Sequence, residues 1–146
     1  MKEVALAFVG VVPGSGERLM GLREIEGRRT LVMGIGPAEA ASIAIGAGRV
    51  KTERPLTHDL IVDIFQRFEV KVKRVVIHDM KDHAFIAVLD LETSRGIQEI
   101  DCRPSDAVAL AVRLKAPIYA AEGVLERAGV DWHELPGIEE DDDWIE

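Results

Sequence analysis

The sequence predicts an α+β fold built from two similar strand-strand-strand-helix halves, with the helices packed on mixed or antiparallel sheets. Short β-type runs fall into two groups of three, at residues 4–12, 18–26 and 29–35 and then at 70–79, 83–91 and 96–102. Each group leads into an Ala-rich helix opened by proline, Gly36-Pro37-Ala38-Glu39 in the first half and Arg103-Pro104-Ser105-Asp106 in the second. The two openings are related by an offset of 67 residues, which also sets Ala40 on Ala107, Ile43 on Leu110 and Ala44 on Ala111. An internal duplication of this kind implies pseudo-two-fold packing, which brings equivalent corners together.

In chain order, residues 4–12 form a nearly continuous apolar run, Val-Ala-Leu-Ala-Phe-Val-Gly-Val-Val, and predict a strand buried on both faces. Pro13-Gly14-Ser15-Gly16 turns the chain into the strand at 18–26. Glu26-Gly27-Arg28 turns it again, into a strand with Leu31, Met33 and Ile35 on one side. The helix from Pro37 to Ala47 carries Ala40, Ile43, Ala44 and Ala47 at helical spacing, and Gly46 and Gly48 end it. Residues 49–55, with Lys51, Glu53 and Arg54, read as a surface loop. The helix over 56–68 groups Leu60, Ile61, Ile64, Phe65 and Phe68 on one face, with Asp63 and Arg67 paired outside. After the second strand group come a helix at 107–115, a short strand at 117–120 and a helix from Glu122 to Gly129. From Asp131 onward the chain is acidic, through Glu139-Glu140-Asp141-Asp142-Asp143. This divides it into a domain at residues 1–130 and an exposed, partly disordered C-terminal tail at 131–146, of which the part from Glu139 is expected to be dispensable for folding because only Trp144 and Ile145 offer apolar burial there.

A chain of 146 residues, 47% hydrophobic and 30% charged, suits one globular, soluble domain with a sizeable core. No apolar run reaches the roughly 18 residues of a membrane helix, so no membrane partner is expected. Lys2-Glu3 and the missing small-residue cleavage pattern argue against a signal peptide. The single cysteine, Cys102, excludes an internal disulfide framework and fits a cytoplasmic location. A net charge of −8 supplies no global field for nucleic acid, so a polyanion would need a local basic patch. The apolar first strand, Val75-Val76-Ile77 and unpaired strand edges predict a homo-oligomer, most simply a two-fold dimer.

Two polar corners stand at helix starts, Arg54-Pro55-Leu56-Thr57-His58-Asp59-Leu60 and Asp101-Cys102-Arg103-Pro104-Ser105-Asp106-Ala107. With Gly34-Ile35-Gly36-Pro37-Ala38-Glu39-Ala40 and Pro117-Ile118-Tyr119, they make the chain resemble the bifunctional nuclease family over roughly residues 4–130. The resemblance implies an α+β protein that cleaves RNA and DNA. Its one departure is Cys102, where alanine is usual, a small-for-small exchange.

His58, Asp59, Asp101, Arg103, Ser105 and Asp106 are the candidate catalytic residues. His58 suits general acid or base work near neutral pH. Arg54 and Arg103 can clamp a phosphate, each beside a helix N-terminus that itself favours anions. Glu39, Asp59, Asp101 and Asp106 offer oxygen ligands for Mg²⁺ or another divalent cation. Each residue also has a structural reading. Thr57 caps its helix and Asp59 complements its dipole; Ser105 or Asp106 caps the other; and Arg103 bridges Asp101 or Glu39. Lys71, Lys73 and Arg74 form a basic stripe with no interleaved aromatics, better read as a solvated strand face. Cys102 reads as a small packing residue. The leading function is phosphodiester hydrolysis in RNA or DNA. The runner-up is a non-catalytic domain that binds a partner protein or a small anionic ligand.

Overall fold

The computed structural model describes residues 1–48, 52–135 and 139–140. The first half runs β1 (Lys2–Val11), β2 (Arg18–Glu24), β3 (Arg29–Ile35) and α1 (Pro37–Gly46). α2 (Thr57–Arg67) leads to the second half, β4 (Lys71–Lys81), β5 (Ala84–Thr93), β6 (Gly96–Cys102) and α3 (Pro104–Leu114). β7 (Ile118–Ala120), α4 (Glu122–Ala128), β8 (Val130–Asp131), a 3-10 turn at Trp132–Glu134 and β9 (Glu139–Glu140) complete it. The fold is α+β. Its single mixed sheet has the order β6-β5-β4-β7-β1-β2-β3-β8, with β9 pairing β1. Every pairing is antiparallel except β4 with β7. The strand-strand-strand-helix order recurs as predicted, and the two meanders run outward from either side of β7. Among the described residues no helix is long and apolar enough to cross a membrane.

Local chemistry sets the hairpins. Asp82 and His83, both at positive φ (49° and 67°), form the two-residue loop between Lys81 and Ala84, a backbone twist that suits the strands it joins. Across the sheet, Leu6, Leu22 and Leu31 align in one row and Val9, Met20 and Met33 in another. With Val75, Ile77 and Leu89 they meet Ile43, Val108, Leu110 and Leu125 in the core. α1 packs on α3, and the buried Ala40 and Ala44 of the one and Ala107 and Ala111 of the other are small enough to let two helices approach closely. At the end of that contact, a Cβ on Gly46 would stand 2.4 Å from Nη1 of Arg113. Because that guanidinium is buried and anchored, Gly46→Ala is expected to destabilise the fold by about 1–2 kcal/mol, despite alanine's better helix propensity. Urea denaturation measures it, and an unchanged midpoint would mean Arg113 moves freely.

Three expectations are corrected. β1 is not buried on both faces: Val4 and Val9 are buried, while Ala5 and Ala7 are exposed around a bulge between Leu6 and Phe8. An apolar run cannot report which of its residues lie outward, and alanine is small enough to be exposed at little cost. The apolar face of α2 is only partly buried. Ile61 and Phe65 pack toward the core, whereas Leu60, Ile64 and Phe68 are 55%, 45% and 75% exposed. The 130/131 boundary falls inside β8, which pairs with β3 through Thr30–Val130 and Arg29–Asp131. Trp132 then lies under the Arg23 guanidinium, 4.9 Å from the ring centroid, and Glu139 and Glu140 pair with Val11 and Gly10. Strand pairing is a backbone interaction, so an acidic sequence does not forbid it. Lys51, Trp144, Ile145 and the acidic run 141–143 lie outside the described residues.

Candidate functional site

Three helices deliver polar residues to one place. α1 carries Glu39 and Ser42 on one face, three residues apart. α2 begins after Leu56, so Thr57 is its first residue and not its cap. The Asp59 carboxylate closes that end instead, its Oδ2 accepting the Leu56 N–H at 2.7 Å. α3 begins after Arg103 with Pro104 in the first turn and no side-chain cap. Neither Ser105 nor Asp106 caps it, and Asp106 turns toward Arg103 and His58.

The result is one continuous hydrogen-bonded chain. Arg113 Nη2 donates to Ser42 Oγ at 3.2 Å, Ser42 Oγ lies 2.6 Å from His58 Nδ1, and His58 Nε2 lies 2.9 Å from Asp106 Oδ1. Arg103 Nε donates to Asp106 Oδ2 at 2.9 Å, and Arg103 Nη2 lies 3.9 Å from Glu39. At the other end Arg113 donates from Nε to Asp59 Oδ1 at 2.7 Å and from Nη1 to the Ala109 carbonyl at 2.8 Å. Arginine only donates, so the Ser42 oxygen accepts from Arg113; the ionised Asp106 carboxylate only accepts, so a neutral His58 donates to it from Nε2–H and its Nδ1 accepts the Ser42 hydroxyl hydrogen. The network thereby assigns the Nε2–H tautomer, with Nε2–H donating to Asp106. His58 and Ser42 are buried.

The carboxylates are electrostatically held. Burial raises the Asp106 carboxyl, but hydrogen bonds from Arg103 and His58 outweigh it and leave the group below the ordinary carboxylate range. Burial acts likewise on Asp59, and the bonds from Arg113 and the Leu56 N–H again win. Hydrogen bonding to Asp106 in turn raises Arg103. A depressed folded pKa contributes stability that is present above the unfolded value and lost as pH falls through the folded one. The unfolding temperature is therefore expected to hold from pH 8 to about 5 and to fall below that, less steeply in Asp59→Asn. An identical acid limb in that variant would remove Asp59 from the linkage. Burial, then Asp101 and Asp106, pushes the Cys102 thiol up to about 11, so it is no thiolate nucleophile.

The structure thus joins the two corners, with His58, Arg103 and Asp106 together, Glu39 at the margin and Asp59 behind Arg113. A cavity of about 260 Å³ opens over Glu39, Ser42, Thr57, His58, Arg103 and Asp106. Three expected members stand apart. Asp101 pairs with Val88, out of phase with core-facing Ala87 and Leu89, so it lies exposed on the opposite face of the sheet. Arg54 is exposed and its guanidinium has no partner among the described residues. Ser105 is buried, but it lies outside the ring of residues around this cavity. Sequence reasoning missed Ser42 and Arg113. Their signals were helical spacing, Ser42 three residues after Glu39 and Arg113 seven after Asp106.

The residues do not fit the expected divalent cation. Among the described residues no three His, Cys, Asp or Glu side chains are placed to share a metal ion. Asp59 and Asp106 are each taken by an arginine, and Asp101 is on the other face. The basic stripe is also broken: a bulge falls at Lys73, Lys71 stands opposite Glu92, and Arg74 is bonded to Asp90 at 2.6 Å.

The Bifunctional nuclease domain matches residues 20–133, which contain all three helix starts of the site. Two Mycobacterium tuberculosis proteins, uncharacterized protein MT1877 of strain CDC 1551 and uncharacterized protein Rv1829 of strain H37Rv, are each 41% identical to this chain over 130 residues. That stretch covers 89% of this chain and 77% of each relative. With a domain match over most of its length and the motif residues gathered at one site, the chain belongs to the bifunctional nuclease domain family.

Proposed function

We propose that the chain hydrolyses phosphodiester bonds in RNA, DNA or both at the cavity between α1, α2 and α3. The observation that carries this reading is the Asp106 carboxylate, gripped by His58 on one oxygen and by Arg103 on both, with the Arg103 side chain 66% exposed beside it. Arg103 presents a guanidinium to the phosphate and offsets charge that builds on its oxygens. Asp106 orients the attacking water and takes its proton as the oxygen bonds to phosphorus. The leaving oxygen departs and is protonated from solvent at the open mouth. In its Nε2–H tautomer His58 is a positioning residue, because surrendering that proton to a leaving group would leave an imidazolate. The test is cleavage of labelled single-stranded RNA and DNA by highly purified protein, with and without EDTA, beside an Asp106→Asn variant made identically. Cleavage that survives EDTA and disappears in the variant supports the reading. Equal cleavage by both proteins marks a contaminant.

The Leu60, Ile64 and Phe68 stripe, exposed at helical spacing along α2 and its C-terminal cap, marks a contact surface. We assign that stripe to the contact of a homodimer. Phe68→Glu is expected to convert a dimer to a monomer by light scattering at micromolar protein. A monomeric parent chain would overturn the assignment.

A further inference from the structure

A second and larger cleft, of about 730 Å³, lies on the far side of Arg103, within the roughly 300–1,000 Å³ of small-molecule sites. It runs between the end of β3, the β4–β5 hairpin and the first turn of α3. We propose that it binds a nucleotide-sized phosphomonoester, with the phosphate at Ser105 and Arg103. Ser105 lines the cleft and is only 6% exposed, yet its hydroxyl has no hydrogen-bond partner among the described residues. Most of the residue is buried, but the hydroxyl oxygen itself opens to the cleft, so an anionic acceptor there can take the hydrogen bond that no protein group takes. The hydroxyl stands at the start of an 11-residue helix that no side chain caps, so the helix dipole and the free first-turn N–H groups favour the same anion. Arg103 lines both cavities and adds a full positive charge.

The rest of the cleft selects the body of the ligand. Met33, Met80 and Phe85 give an apolar wall on which a flat base can lie. Glu17 stands in the lining as an acceptor for a ribose hydroxyl or an exocyclic amine, and its charge disfavours a second phosphate. The ligand is therefore a monophosphate, either free or at the end of a strand. This deepens the proposed hydrolysis and rests on it only for the strand-end source, since Arg103 would join a held terminus to the Asp106 cavity.

The probe is adenosine 5′-monophosphate, titrated calorimetrically beside adenosine. The monophosphate is expected to bind at least about tenfold more tightly than adenosine, and Ser105→Ala is expected to lose about tenfold in its affinity. The variant should keep the parent unfolding temperature, because the hydroxyl holds no protein partner. Competition by an oligonucleotide with a 5′-phosphate, but not by one without it, identifies a strand end as the source. Binding that no oligonucleotide displaces identifies the free nucleotide. No binding at millimolar monophosphate, or equal binding by Ser105→Ala, overturns the proposal. A parent protein that cleaves RNA yet binds no monophosphate loses the cleft and keeps the catalytic reading. One that binds the monophosphate and never cleaves does the reverse.

Discussion

Asp106→Asn is expected to lower phosphodiester cleavage by about 10²–10⁴-fold, the range for loss of a positioned acid–base group. With its oxygen in the Oδ1 place the asparagine still accepts from His58 Nε2 and Arg103 Nη2, losing only the bond from Arg103 Nε, so the helices stay joined. What disappears is the capacity to take a proton from water. His58→Gln should lose less, because it changes how the carboxylate is held and leaves its charge in place. Rate against pH separates the two roles. Removal of the base abolishes the profile with the activity, whereas loss of a positioning residue leaves a weaker enzyme with an altered acid limb. If both variants stay folded and cleave at the parent rate, catalysis does not occur at this site.

Arg113→Met is expected to give the largest loss of stability, about 2–3 kcal/mol, or roughly 5–10 °C in unfolding temperature. Arg113 is 6% exposed and donates to Asp59, Ser42 and the Ala109 carbonyl, tying α3 to α1 and α2. Methionine matches its stem and removes the donor it gives to each of these three groups. Asp59 is 35% exposed, so water softens its loss and keeps the figure below that of a fully buried pair. Pairing Arg113→Met with Asp59→Asn in a double-mutant cycle should recover part of the loss, since the abandoned charge is then gone. Strictly additive losses would mean that the two side chains do not interact.

How much of this was legible beforehand differs between elements and site. The β1–β3 and β4–β6 meanders, α1, α3 and β7 follow from apolar spacing, Pro37, Pro104 and turn residues, all of which act within a few residues of the chain. The corner motifs also identified His58, Arg103 and Asp106, because Arg-Pro before an acidic helix start is visible as written. Faces were less legible. A bulge in β1 and another at Lys73 each move the phase of a strand, and nothing local announces an extra residue. β8 and β9 were hidden because two-residue pairings follow from the backbone of a distant strand and leave no periodicity of their own.

The α+β class, the doubled order of elements and the helix starts that carry the polar residues can be read along the chain, since these rest on short-range sterics and hydrogen bonding. Which of those residues meet is a matter of long-range packing. Ser42 to His58 spans 16 residues, His58 to Asp106 spans 48 and Asp59 to Arg113 spans 54. Contacts at such separations are set by how α1 and α3 pack over the sheet, through small residues and the close approach of Arg113 to Gly46. Sheet pleat made the remaining decision: Asp101, one residue from Cys102, was turned to the opposite face because successive side chains of a strand must alternate.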